Sequence, residues 1–395
     1  MDKYNFDEII DRKGTNSLKY DYAVKRGKPA DVLPLWVADM DFRTPKEVID
    51  ALVQKAQHGI FGYSEPLDGY YDAIVKWFTN HFGWQPNRSK FVLTCGVVFA
   101  ICNLIDALSE EGDGILINQP VYYPFSEAIT DNGRKLVNSN LVYSEGRYSF
   151  DFDDIEKKIK EHNVKVFLLC NPHNPVGRVW RMEELKRISE ICLRNDVFVI
   201  SDEIHADFIY SKYSFVSYAA LGKEALRKAA ICTAPSKTFN LAGLHNANIY
   251  IEDDKIRRRY IKLQNKKGYF QSNVMGIVAC EAAYRYGGDW LKELQEYLEG
   301  NLSFVRNYLA RRLPKIKLVE PEGTYLIWLD CRELGIDDER LNEIITYKAK
   351  LWLDAGNIFG ESGKYFERVN IACPRSVLET AFDRLYNALR SEKII

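Results

Sequence analysis

No stretch of the sequence approaches the ~20 consecutive apolar residues that a membrane-spanning helix requires. Neither sign of charge dominates. Lys and Arg number 54 against 55 Asp and Glu, a formal net charge of −1, so nothing draws the whole protein to nucleic acid or an anionic membrane. A Cys-x-x-Cys pair is absent, and the cysteines at 95, 102, 170, 192, 232, 280, 331 and 373 lie mostly inside apolar runs. They read as reduced core thiols rather than a disulfide frame or a zinc site. The six histidines form no His-Glu-x-x-His spacing, and no catalytic metal is expected. Repeats, low-complexity tracts and long Gly/Ser/Pro linkers are missing. The first residues, Met1 to Glu8, lack the basic-then-apolar layout of a signal peptide, which leads to the expectation of a cytoplasmic protein.

What is there is a soluble, globular composition, 46% hydrophobic and 28% charged over 395 residues, too long for one ordinary core. Short β-rich runs at 91–95, 115–118, 165–170, 197–201, 229–233 and 248–251 alternate with amphipathic segments at 97–108, 153–161 and 182–194. That alternation predicts an α/β fold with a largely parallel sheet covered on both faces. Near Gly287-Gly288 the pattern changes to a long helix reaching about residue 312, then β-rich segments at 325–329 and 369–373 and a closing helix from Ser376. The expected division is an N-terminal arm with part of a small domain (1–48), a large domain (49–287) and a small α+β domain (288–395). The basic run from Lys255 to Lys267 sits among acidic and helix-spaced apolar residues and reads as a solvated helix face.

Six elements carry chemistry together. Lys237, in Thr233-Ala234-Pro235-Ser236-Lys237-Thr238-Phe239-Asn240, follows an apolar strand. Alone it also reads as a surface loop lysine. Buried, it becomes an amine nucleophile able to form a Schiff base, with Thr233 and Ser236 as hydroxyls for a phosphate. Asp202 closes the apolar strand ending Ile200-Ser201; it reads as a helix cap or as the partner that keeps a pyridine nitrogen protonated. Asn174, in Asn171-Pro172-His173-Asn174-Pro175, belongs to a turn or aims an amide at a ring oxygen. Gly96, at a strand-to-helix turn before Val97 and Val98, lets helix-start amides approach a phosphate. Tyr122 supplies a ring-facing aromatic. Arg368 opens a short strand, as a surface ion-pair partner or a bidentate clamp on an α-carboxylate. Asn174 and Asp202 are 28 residues apart, and Asp202 and Lys237 are 35 apart. Each interval is about one strand-plus-helix step, so these side chains can meet at one sheet edge.

The wording of these segments resembles the class I/II aminotransferase-like, fold-type-I enzymes that use pyridoxal 5′-phosphate (PLP). The specific parts are Asn-Pro-x-Asn-Pro-x-Gly, Ser-Asp-Glu-Ile-His and Ser-Lys-Thr-Phe-Asn-x-Ala-Gly. Outside that core, Tyr4 to Glu8, Arg12 to Ser17, Leu35 to Phe42 and Asn370 to Arg375 are similar to the MalY/PatB group of cystathionine β-lyases. The resemblance spans essentially the whole chain. It implies a seven-stranded mixed, mostly parallel sheet in a large domain with a small domain from both chain ends. It also implies a homodimer whose sites are shared, with Tyr63 reaching the phosphate of the partner's cofactor. Tyr122 falls at the ring-stacking position, with Tyr123 as the other candidate, and His205 lies near the cofactor oxygen where relatives often carry tyrosine. An arginine common eight residues after the lysine is replaced by His245, which leaves phosphate binding to amides and hydroxyls.

The chemistry so implied is α,β-elimination from an amino acid with sulfur on Cβ, releasing thiol, pyruvate and ammonia. Lys237 takes the Cα proton, Asp202 holds the ring nitrogen, and Arg368 orients the carboxylate with help from the Val37–Ala38 backbone; Tyr63, Tyr122 and Asn174 complete the substrate set. An aminotransferase on the same scaffold is the alternative, since no residue dictates where the carbanion is reprotonated. An additional role as a regulatory binding protein is a third reading.

Overall fold

The computed structural model describes residues 4–395. Seven strands form its main sheet: β1 (Phe91–Thr94), β2 (Gly114–Ile117), β3 (Lys135–Asn138), β4 (Val164–Cys170), β5 (Phe198–Asp202), β6 (Ala229–Thr233) and β7 (Ala247–Ile251). Their order is β1-β7-β6-β5-β4-β2-β3. Only β7 runs against its neighbours, antiparallel to both β1 and β6, while the other pairs are parallel. The carboxyl ends of the six codirectional strands therefore share one edge, where ligands bind in open α/β sheets.

Strand alternation divides the core into two layers. Val166 and Leu168 of β4, Phe198 and Ile200 of β5, and Ala230 and Cys232 of β6 face one side, packed with helix α1 (Val97–Leu108). Phe167 and Leu169, Val199 and Ile231 face the other, against α2 (Met182–Arg194). Ile101, Leu104 and Ile105 of α1 are wholly buried, each stabilising the fold by roughly 1.5–3 kcal/mol. β3, the seventh strand, gives no signal of its own in the sequence because only Val137 is buried at this sheet edge.

The basic run lies on α3 (Asp254–Lys266), where Arg257 pairs with Asp254, Arg259 with Glu110 and, just beyond its end, Lys267 with Asp106. Beyond it, α4 (Gly288–Arg312) precedes a four-stranded antiparallel sheet of β8 (Lys317–Val319), β9 (Leu326–Asp330), β10 (Asp354–Ala355) and β11 (Phe366–Asn370), ordered β8-β9-β11-β10. A last helix, α5 (Arg375–Ser391), packs with α4. The N-terminal segment joins this region: Leu33–Pro34 pairs in parallel with Leu351–Trp352, and Trp36 stacks on Trp352 at 4.2 Å.

Candidate active site

A cavity of about 460 Å³ opens at the carboxyl edge of the main sheet, in the size range of small-molecule sites. Gly96, Val97, Val98, Tyr122, Asn174, Asp202, His205, Ser236, Lys237 and Ala38 all line it. Gly96, Val97 and Val98 follow β1, Tyr122 follows β2 and Asn174 follows β4; Asp202 ends β5 with His205 just beyond it, Ser236 and Lys237 follow β6, and Ala38 comes from the N-terminal segment. Gly96 caps α1, so the free amides at the start of a twelve-residue helix point at the cavity, a ready anion site.

Lys237 is half-buried, and its Nζ donates to the Ala38 carbonyl at 2.9 Å. Burial lowers its pKa to about 8; Asp39 works in the opposite direction. A useful fraction of the amine is therefore neutral near pH 7. Asp202 lies on the same side of the sheet as Phe198 and Ile200, four and two residues before it, and so faces the cavity. Its side chain accepts one hydrogen bond, from Ile204 N–H at 3.1 Å, and burial raises its pKa to about 7. The adjacent Glu203 is instead consumed by the fold, accepting from Ser201, Ser217 and the Tyr218 amide.

Asn174 accepts from Arg368 Nη1 at 3.0 Å through its side-chain oxygen, and its side-chain Nδ2 donates to no group among the described residues. His205 is buried with Nδ1 unpartnered, and burial holds the imidazole well below its usual pKa. Tyr122 donates its backbone N–H to the Asn174 carbonyl and faces the cavity, while Tyr123 turns to Phe359. Arg368 is buried in the middle of β11, neither at a strand start nor on the surface. It sits behind Asn174 and also donates to the Trp36 carbonyl at 2.7 Å and to Asp354.

Besides Arg368, three more expected residues lie outside the cavity lining. Thr233 shares the opposite face of β6 with Ile231, so its hydroxyl turns from the cavity and donates to the Asn248 carbonyl at 2.7 Å. Thr233 therefore does not line the cavity, as strand alternation dictates. Val37 does not line the cavity; its carbonyl accepts from Asn370. Tyr63 is 92% exposed and borders a neighbouring cavity with Phe61, Cys95, His245 and Phe270.

Several residues escaped the sequence reading. Asn240, already inside the lysine motif, clamps the N-terminal segment: it accepts from Met40 N–H and donates to the Met40 and Phe42 carbonyls. Asn370 donates to the Val37 and Asp39 carbonyls, both at 2.7 Å. Asp39 and Asp41 are themselves held by Arg12 and by the fully buried Lys19. Together these contacts fix the Ala38 carbonyl against Lys237.

The description "Aminotransferase class I and II" matches residues 30–385. The chain belongs to the class I and II aminotransferase family. It is 38% identical to cystathionine β-lyase PatB of Bacillus subtilis over 98% of this chain and all of that protein. It is 34% identical to MalY of Escherichia coli over 98% and 99% of the two chains. The crystal structure of cystalysin from Treponema denticola, which contains a pyridoxal 5′-phosphate cofactor, superposes with a TM-score of 0.95 at 37% identity, covering 98% of this chain and 99% of that one. The fold is thus the fold-type-I α/β architecture, with its seven-stranded mixed sheet.

The residues present fit that cofactor. A buried carboxylate with a single amide donor, an unpartnered imidazole nitrogen, a free amide and a depressed lysine converge on one cavity beside a helix N-terminus. A cationic ring nitrogen, a ring oxygen, an aldehyde and a phosphate would satisfy them in turn.

Proposed function

We propose that this protein is a PLP-dependent carbon–sulfur β-lyase that cleaves cystathionine or a related cysteine S-conjugate to thiol, pyruvate and ammonia. The observation that carries the reading is the meeting of Lys237, Asp202 and Asn174 at one cavity in a chain 38% identical, end to end, to a cystathionine β-lyase. PLP, when bound, draws electron density from the substrate's Cα, which acidifies the proton there and weakens the bond to the β-sulfur.

The chain's own residues do the rest. Asp202 holds the ring nitrogen, and Asn174 and His205 face the ring oxygen. Tyr122 covers the ring, and the amides of Gly96, Val97 and Val98 with the Ser236 hydroxyl take the phosphate. Arg368, placed by Asn174 and the Trp36 carbonyl, orients the substrate carboxylate. Lys237 Nζ, neutral in part at pH 7, accepts the proton from Cα. A thiolate is a far better leaving group than an alkoxide, which suits the site to sulfur on Cβ.

A homodimer completes the site in this reading. Phe61, Tyr63 and Phe270 are exposed together around the neighbouring cavity, and Ile60 and Leu67 in the same stretch of chain as Phe61 are exposed too, apolar exposure of the kind that marks a protein interface. Tyr63 then serves the partner's cofactor phosphate. The reading also keeps the division at 1–48, 49–287 and 288–395, and a cytoplasmic location; no helix among the described residues is long and apolar enough to cross a membrane.

Incubation of the yellow holoenzyme with L-cystathionine, without any keto acid, tests the proposal. Equal release of thiol and pyruvate is the expected result. Turnover only after a keto acid is supplied would overturn the lyase reading in favour of transamination.

A further inference from the structure

Arg368 does not wait as an open cation. Asp354 and Arg368 are direct cross-strand partners in the antiparallel register of β10 and β11, so their side chains emerge on the same face. Both are buried, with side-chain exposures of 8% and 3%. The ion pair is therefore written into the sheet.

A guanidinium has five N–H donors, and it grips a carboxylate bidentately through two parallel N–H groups on one edge. Here Nη2 donates to both the Trp36 carbonyl and the Asp354 carboxylate, and Nη1 donates to Asn174. Nε is buried with no partner. The planar group also lies over the Phe359 ring, 5.0 Å from its centroid, which limits tilting. Both edges that offer parallel N–H pairs run through Nη2, and both Nη2 hydrogens are taken. The Trp36 carbonyl is fixed by the backbone; Asp354 is the partner that can turn away.

We propose that Asp354 is a built-in competitor for the substrate carboxylate: it occupies Arg368 in the empty site and must be displaced before an α-carboxylate is gripped. This rests on the reading of Arg368 as the carboxylate clamp. Displacement frees one Nη2 hydrogen while Nε is already unpartnered, and Lys28, a second cation acting on Asp354, offers the released carboxylate a counter-charge. Asp354 thereby sets specificity. A ligand with only a carboxylate gains too little to displace it, whereas an α-amino acid adds the contacts of its amine at Lys237. Simple carboxylates, including the keto-acid product, are held weakly.

The test is inhibition of the holoenzyme by propionate, which carries a carboxylate and no amine. Replacing Asp354 with Asn or Ser should lower the inhibition constant of propionate by about fivefold or more and lower KM. The two variants are read together, so a folding failure in one leaves the other decisive. Arg368→Lys is the control and should weaken propionate and substrate alike. If Arg368→Lys weakens propionate but both Asp354 variants leave it unchanged or weaker, Asp354 merely supports Arg368 and the competitor role is overturned. If Arg368→Lys has no effect on propionate, the clamp reading itself fails, and this proposal with it.

Discussion

Lys237 Nζ donates to the carbonyl oxygen of Ala38 at 2.9 Å, joining two loops that stand 199 residues apart in the chain. The same carbonyl accepts from the Tyr325 hydroxyl, also at 2.9 Å. The amine is thus held from the N-terminal segment, and Asp39, the next residue, sets part of its proton affinity.

That arrangement predicts a pH effect. An anion near an ammonium stabilises the protonated form, so Asp39→Asn should lower the Lys237 pKa further below about 8. The rate at which apoenzyme takes up PLP depends on neutral lysine. Its rise with pH should move to lower pH in the variant, as followed by visible absorbance. A limb that stays in place or moves to higher pH would remove Asp39 from this role.

Asp202 predicts a trade between stability and function. Burial raises its carboxyl to about 7 in the cofactor-free fold, above the unfolded value. The native state then binds more protons than the unfolded state across roughly pH 4–7, so this group's contribution to stability is lost as pH rises through that window. Asp202→Asn removes the cost of an ionised, sparsely bonded carboxylate. Apo-Asp202→Asn should melt above apo-wild type at pH 8, while its PLP dissociation constant rises sharply. Thermal melts and cofactor titration check the two halves separately.

The turn that carries Asn174 hangs on a buried ion pair. Arg178 bonds Glu322 and, at 2.6 Å, Glu184, while the Glu322 carboxylate also accepts from Val179 N–H. Arg178→Met leaves Glu322 buried without its main counter-charge and should cost about 3–5 kcal/mol of stability. Urea unfolding of variant and parent measures it; a loss within ~0.5 kcal/mol would mean that Arg147, which also reaches Glu322, suffices.

Much of the site was legible because it follows single rules. The strand runs around β4, β5 and β6 put Asn174, Asp202 and Lys237 just after apolar segments, and their loops fall at one edge whatever the strand order. Two helices, Val97–Leu108 and Met182–Arg194, follow their periodicity to the residue. The order of strands did not follow, because pairing β7 between β1 and β6 is a tertiary choice. Thr233 was misplaced because neighbouring hydroxyls in sequence look alike, whereas alternation sends one of them to the far face. Arg12, Asp39 and Asp41 lie in segments that carry the family resemblance, but their clustering with Lys19 was not legible, since two short stretches of the arm share it. Asp354 was hidden for a related reason: its meaning lies in a register with Arg368, 14 residues on.

The exposed apolar loop predicts a linked loss of assembly and cofactor. If the homodimer proposed above forms, Phe61→Asp should shift sedimentation from dimer towards monomer and raise the PLP dissociation constant in parallel. A monomer that keeps wild-type cofactor affinity would mean that Tyr63 does not serve a partner's site.

The clamps of Asn240 and Asn370 on the N-terminal segment have a consequence for biosynthesis. The lysine loop finds its acceptor only when residues 35–42, 237–240 and 368–370 are together. During synthesis, the N-terminal segment must wait for the last strand, β11, to emerge. Cofactor capture is therefore expected as a closing event in the birth of the molecule, and a chain truncated before β11 is expected to stay colourless when supplied with PLP.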